Sequence, residues 1–394
     1  MIVSDYRLIT PSYRIHVGKG VTHGALGREL ESAGCERVVV VHSMSLGRQK
    51  PLLDRIREVV GDRLVGTFTG VLRDCPATAV AGLMNYVMAE RADTLVCVGG
   101  GSTMTVARAA SILLATTSDL VPPGLREAIG DAASHLGMRA MPVSIMIPAT
   151  PSTAAHGAGA AVLDASRRKF EVYNRESRAH SVLIDPDFLL TAPEPVRRQA
   201  AVVTLCAVLE TVLRPTLNPV ALADLRQAAD MLLASLAPRQ RATKAQAAVA
   251  AAIAAFLAAR ATSAMGDKGA ALALGLAQQV QACYPHIAQA QAVSPLLTPA
   301  IEFSQGANTA TGATGREFRL FHRLLPVLPR TDTKLWLRSF LAELGLPVRL
   351  RDAGVSASDF PAIADAATAS AFVRNSPRPV TNQTDLLWIL EQAF

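Results

Sequence analysis

Residues 93–102 read Asp-Thr-Leu-Val-Cys-Val-Gly-Gly-Gly-Ser, an apolar run that stops abruptly in three glycines and a serine. Apolar residues at helical spacing follow: Met104, Val106, Ala107, Ala110, Ile112 and Leu113. Strand, glycine turn and helix in that order make a phosphate cradle. Glycines let the backbone come close to an anion, and the free N–H groups of the first helical turn face it. Gly99, Gly100, Gly101 and Ser102 are therefore expected to meet the pyrophosphate of a nucleotide cofactor, which points to redox chemistry.

The elements that must hold this turn alternate in type. Residues 13–17, 37–42, 64–68 and 94–98 read as strands, as do 144–148, 162–165 and 182–185. Helical stretches at 24–32, 49–60 and 77–91 separate the first four. Unbroken Val, Ile and Leu strands between helices predict a parallel sheet covered on both faces. Residues 118–141, with Pro122-Pro123-Gly124, interrupt the rhythm as an excursion. After Asp185-Pro186 the character changes. Residues 189–214, 221–236, 244–265, 270–282, 293–303, 318–325, 334–344 and 357–371 are apolar at helical spacing, and almost nothing there reads as strand. The expectation is a Rossmann-like α/β dinucleotide-binding domain over 1–187 and an all-α domain over 188–394, whose alanine richness suits helices.

A chain of 394 residues exceeds one ordinary core, so two domains also fit its length. It is 50% apolar and 18% charged, which excludes a disordered protein. No apolar run approaches a membrane span: 247–259 is alanine-dominated between Lys244 and Arg260 and reads as a buried helix. The start of the chain lacks the basic-then-apolar layout of a signal peptide, so a cytoplasmic location is expected. The five cysteines are scattered without a CxxC, which argues against a disulfide framework or a cysteine-built zinc site. The net charge of +7 suits anionic ligands but is dispersed. Its densest cluster, Arg167-Arg168-Lys169, is too short and too poor in aromatics for a nucleic-acid arm. A small-molecule substrate is expected, with neither nucleic acid nor membrane as partner.

Several landmarks in order resemble the iron-containing alcohol dehydrogenase family, within the dehydroquinate synthase-like fold. Gly99-Gly100-Gly101-Ser102-Thr103 looks like the GGGST turn of its maleylacetate reductase branch. Gly61-Asp62-Arg63 and Gly70-Val71 precede it, and Ile147-Pro148-Ala149-Thr150 is similar to the segment that closes over the cofactor. Arg167-Arg168-Lys169-Phe170 and Ile184-Asp185-Pro186 follow, then Glu210 with Asn218-Pro219, and near the end Asn375-Ser376-Pro377-Arg378-Pro379. Their joint order carries the resemblance. It implies NAD(P)-dependent reduction of a carbonyl, or oxidation of an alcohol, in a cleft between domains of a homodimer paired through its N-terminal edges.

In most members an iron or zinc ion held by one Asp and three His polarises the substrate oxygen. The register set by Glu210 and Asn218-Pro219 puts the Asp position on Val203 and the first His on Ala207. The next His falls on Gln278, after Leu274-Gly275, and the last on Ala290, counting back from Pro299 and Phe303. Hydrocarbon side chains cannot bind a metal, and Gln278 alone is a poor ligand. Between Arg197 and Ala300 the only histidine is His286, and Glu210, Asp224, Asp230 and Asp267 form no ligand pattern. No catalytic metal is expected.

A general acid can replace part of the lost Lewis acid. By the resemblance, Lys169 lies near the nicotinamide ribose and carboxamide; its plain alternative is a surface lysine in a basic turn. His156 stands where the family usually has Glu, and otherwise is a loop histidine bonded to backbone. His286, in Tyr284-Pro285-His286, sits between two helices expected to face the cleft, or is simply exposed. Gln278 can hydrogen-bond the substrate oxygen. Thr150 is expected over the nicotinamide half. Where the family often has an Asp gripping the adenine ribose, this chain has Ser43, with Arg48 nearby, so either NADP or NAD is expected. Thr105 replaces another frequent Asp. The expected function is a metal-independent, NAD(P)H-dependent oxidoreductase of a small carbonyl or alcohol. A carboxylate-bearing substrate and a biosynthetic tailoring step suit the charge and the diverged site. The alternatives are a lyase or cyclase on the same scaffold, or an inactive nucleotide-binding homologue.

Overall fold

The structure is a computed structural model and describes residues 11–237, 242–266, 271–306, 324–328 and 332–394. Its strands are β1 (Ile15–Val17), β2 (Val38–Ser43), β3 (Leu64–Val71) and β4 (Thr94–Gly99), then β5 (Val143–Pro148), β6 (Gly159–Leu163), β7 (Lys169–Tyr173) and β8 (Ser181–Ile184). Six of them form one sheet in the order β1-β8-β5-β4-β2-β3, with every pair parallel. The two-residue period of a strand sorts their side chains between two cores. Val39, Val41, Leu95, Cys97 and Met146 join helices Ala77–Ala89 and Gly101–Ala115 on one face. Val38, Val40, Val96, Val98, Ile145 and Ile147 join helices Val21–Ser32 and Lys50–Val60 on the other. Burial on both faces is why these strands read as continuous apolar runs.

The strand expected at 162–165 runs instead over Gly159–Leu163 and belongs to a different sheet. β6 pairs antiparallel with β7 in a separate hairpin, from Gly159 opposite Tyr173 to Leu163 opposite Lys169. The sequence pattern does not predict β7. Its Lys-Phe-Glu-Val-Tyr alternation marks a half-exposed strand, but it opens on the basic run 167–169, which reads as a turn.

Proximity groups Ser12–Arg197 with Ala242–Phe256 in one compact unit. The described residues of Arg198–Arg241 and Leu257–Phe394 form the other. A single cut near residue 187 thus becomes several crossings, because the first half of helix Lys244–Ala264 packs in the α/β unit, with Ala248 and Ala252 in its core. Among the described residues this is the one helix long and apolar enough to cross a membrane. Of its apolar window 56% is buried, as in the core helix of a globular unit.

The second unit holds helices including Pro219–Leu236, Leu272–Cys283, Gln289–Ser304, Thr333–Glu343 and Gln383–Gln392, and no strand among its described residues. Of residues 318–325, expected as helix, 318–323 lie outside the described residues, as does Asp267. Glu210 organises this unit. It is fully buried, and its two carboxylate oxygens accept the N–H of Ala273 at 3.0 and 3.2 Å. Helix Leu272–Cys283 has Ala271 as its N-cap, with no side chain able to cap it, so Glu210 supplies the acceptor from 63 residues away. Glu210→Ala is expected to cost about 2–4 kcal/mol, a lost cap plus buried N–H groups left without acceptors, read by urea denaturation.

Burial pushes the Glu210 carboxyl up to about 8, against the pull of the N–H groups of residues 272–274. An acid raised on folding contributes stability that is present below its ordinary range and lost as pH rises through the folded value. The wild-type melting temperature is therefore expected to fall between pH 5 and 9 relative to Glu210→Gln, followed by thermal denaturation of both.

Candidate active site

Gly99 has φ +157°, and a Cβ there would stand 2.3 Å from Thr103 Oγ1 and 2.9 Å from Thr103 Cβ. No side chain larger than hydrogen fits. A Cβ on Gly100 would come 3.2 Å from Thr150 Oγ1, and one on Gly101 would come 3.4 Å from Ser152 Oγ. The turn and the segment after β5 therefore face each other, tied by the Ala149 N–H donating to the Gly99 carbonyl at 2.7 Å. Gly100 is the N-cap of helix Gly101–Ala115, and no side chain caps that helix. Without a side-chain cap, its first-turn N–H groups are of the kind that can receive an anion, and Ser102 is half-buried beside them. Thr105 donates to the Gly101 carbonyl at 2.7 Å and adds no charge. Ser43 caps the short helix Met44–Gly47, accepting the Leu46 N–H at 3.4 Å and bonding Ser45. Its hydroxyl is half-buried at the C-terminal end of β2, and Arg48 beyond it is exposed.

Lys169 opens β7, half-buried, on a hairpin that packs against helix Gly101–Ala115. Its partner Leu163 donates its N–H to the Cys75 carbonyl at 3.0 Å and bridges Pro76. This sets Lys169 against the turn Asp74-Cys75, where two successive non-glycine residues are left-handed, with φ of 64° and 55°. Each such residue costs of the order of 1–3 kcal/mol, and strain of this kind persists where surrounding structure enforces it. Burial lowers the Lys169 ammonium to about 8, opposed chiefly by the Asp74 carboxylate. A lysine near that value carries a proton at neutral pH and releases it far more readily than an ordinary one.

His156 is only 3% exposed and packs its ring 5.4 Å from that of Phe256. Burial and the Arg108 guanidinium drive it down to about 3, so it is neutral throughout the physiological range. Such a group is a poor proton shuttle. His286 is exposed in the loop after helix Leu272–Cys283, its ring 6.1 Å from Tyr284. Tyr284 itself is tied to Asp359 and to the Ser356 N–H. Gln278 is half-buried on that helix. Val203 and Ala207, one helical turn apart, share the half-buried face of helix Glu194–Thr211, and Ala290 is buried. Among the described residues no group of three or more His, Cys, Asp or Glu side chains is placed to hold a metal ion. Gln278 and His286 belong to the unit that does not contain Lys169.

The residue missed is Arg108. It lies in the middle of the glycine-turn helix and is 1% exposed. A signal was present: Met104, Thr105, Ser111 and Ile112, its neighbours three and four positions away, are all uncharged, so the helical period points Arg108 inward.

A sequence model described as iron-containing alcohol dehydrogenase matches residues 11–186, and one for the C-terminal part of the Fe-containing alcohol dehydrogenase family matches 202–394. The chain is 25% identical over 190 residues to Dehydrogenase FUM7 of Gibberella moniliformis, covering 46% of this chain and 44% of that protein. It is 26% identical over 230 residues to a probable mitochondrial hydroxyacid-oxoacid transhydrogenase of Dictyostelium discoideum, covering 53% and 40%. The chain therefore spans less than half the length of these curated relatives. The crystal structure of maleylacetate reductase from Agrobacterium tumefaciens superposes with a TM-score of 0.76 at 20% identity, over 100% of this chain and 99% of that one. At that identity the likeness speaks for the fold.

Proposed function

The chain belongs to the iron-containing alcohol dehydrogenase family, and we propose that it is a metal-independent, NAD(P)H-dependent oxidoreductase of a small carbonyl or alcohol bearing a carboxylate. The observation that carries this reading is the pairing, in one unit, of a glycine cradle with a proton donor poised near neutral pH. The cradle fits a dinucleotide: Gly99, Gly100 and Gly101 leave the space that Cβ atoms would fill, and the helix they start is uncapped. Residues 99–102 hold the pyrophosphate, Thr150 and Lys169 serve the nicotinamide half, and Ser43 faces the adenine ribose. When bound, NAD(P) supplies or accepts the hydride.

The rest falls to side chains of this chain. In reduction, Lys169 Nζ gives its proton to the substrate oxygen as negative charge builds there; in oxidation the neutral amine takes the hydroxyl proton. Val203, Ala207 and Ala290 do not fit a catalytic metal, because no hydrocarbon side chain donates an electron pair, and Gln278 offers one neutral oxygen. No step therefore runs through a metal ion. A homodimer in the cytoplasm belongs to the same reading.

Titration of the chelated protein with NADPH and NADH, followed by nucleotide fluorescence, tests the cofactor half. Saturable binding with a Kd in the micromolar range is the expected outcome. Binding of neither nucleotide would overturn the proposal. Binding without carbonyl-dependent oxidation of NADPH would favour a non-redox or inactive homologue.

A further inference from the structure

Arg108 is a buried cation without a counter-charge. Its Nε and Nη2 have no hydrogen-bond partner. These two N–H groups form the side edge of the guanidinium, the fork that matches the two oxygens of a planar oxyanion. The third nitrogen, Nη1, stands 3.8 Å from where a Cβ on Gly157 would lie, and Gly157 is half-buried. The adjacent His156, also more than nine-tenths buried, has an Nδ1 without a hydrogen-bond partner. The groups acting on Arg108 electrostatically are Cys97, Arg178 and Cys75. One is a second cation. The other two are thiols, whose protons burial holds on up to about 12. Burial brings Arg108 down only to about 10, so it stays charged at neutral pH. Among the described residues no carboxylate forms an ion pair with it. A buried guanidinium with an idle fork is destabilising unless something negative fills it.

We propose that Arg108 anchors a two-oxygen anion, a carboxylate or an equivalent planar oxyanion, within the α/β unit. His156 Nδ1 adds a donor in the tautomer that carries its hydrogen there, and Gly157, lacking a side chain, leaves room beside Nη1. The anion has two sources. It is the carboxylate of the substrate itself, which rests on the reductase reading above, or it is a free small oxyanion, which does not.

Thermal denaturation of the full chain without nucleotide tests the site independently of activity. Formate or nitrate is titrated against chloride at constant ionic strength. The expected result is a saturable rise in melting temperature of about 3 °C for the two-oxygen anions over chloride, absent in Arg108→Met and Arg108→Gln. A wild type that does not distinguish formate and nitrate from chloride overturns the proposal without reference to any variant, and so does an equal response in the variants.

Steady-state kinetics with NADPH then separate the sources. If the substrate carboxylate fills the fork, Arg108→Gln raises KM for a 2-oxo acid at least tenfold and leaves a neutral aldehyde unchanged. If a free oxyanion fills it, the two substrates shift alike. Failure of the protein to oxidise NADPH with any carbonyl would sink the redox reading alone, and the melting result would still decide the anion site.

Discussion

Replacing Lys169 by methionine is expected to lower kcat for carbonyl reduction by about 10²–10⁴, or roughly 3–5 kcal/mol of barrier, while the Kd for NADPH changes little. Methionine keeps most of the volume on the half-buried hairpin, so β6 and β7 should still pair and the melting temperature should hold. The pH dependence gives a second readout. Burial places the ammonium at about 8. Reduction needs the protonated form, so its rate is expected to be level below that value and to fall tenfold per unit above it. Oxidation needs the free amine and is expected to rise with pH up to the same value. Both limbs should vanish in the methionine variant. Stopped-flow or steady-state rates from pH 6 to 10 measure them. A variant that keeps its limb would move the proton donor elsewhere.

Gly99→Ala should act on the other half of the site. The new methyl would lie 2.3 Å from Thr103 Oγ1 and 2.9 Å from Thr103 Cβ, a clash that rotation of this buried side chain does not relieve. Overpacking of this kind costs about 1–3 kcal/mol, and a left-handed conformation adds a further cost of the order of 1–3 kcal/mol. The helix start must shift to relieve the clash, and its N–H groups then no longer converge on one anion. A loss of about 3 kcal/mol in binding raises the NADPH Kd by about two orders of magnitude. Fluorescence titration reads the affinity, and the melting temperature separates lost binding from global unfolding. Gly100→Ala is the milder comparison, because its nearest atom is the Thr150 hydroxyl at 3.2 Å. An NADPH Kd within threefold of wild type for Gly99→Ala would remove the glycine turn from the cofactor site.

The parallel sheet and its glycine turn were legible in the sequence because both rest on backbone requirements with strong residue signatures. Strands buried on two faces must be apolar throughout, as Val38-Val39-Val40-Val41 is. A turn packed this closely against Thr103 and Thr150 must drop its side chains, as 99–101 do. β7 was not legible because it is half-exposed and starts in a run of three cations, where charge outweighs alternation. Glu210 served in the sequence only as a landmark. Its work as the cap of helix Leu272–Cys283 depends on a partner 63 residues away, a distance no local pattern spans. The chemistry of His156 is visible in the sequence, but its burial and its neighbour Arg108 are properties of the folded chain. Arg108 lies within the helix that the glycine turn starts. Its inward position follows from the helical period, whereas the missing counter-charge appears only once Cys75, Cys97 and Arg178 are brought around it.

The two halves of the proposal meet in one assay. The protein is stripped with a chelator, its iron and zinc content is measured, and carbonyl-dependent oxidation of NADPH is followed before and after either ion is restored. A metal-independent enzyme is expected to turn over at the same rate in the stripped state, with less than a tenth of an equivalent of metal, and to gain nothing from added Fe²⁺ or Zn²⁺. Activity that is lost on stripping and returns with one equivalent of metal would contradict it. Such a result would mean that the positions read as Val203, Ala207, Gln278 and Ala290 are not where this protein binds its catalytic ion.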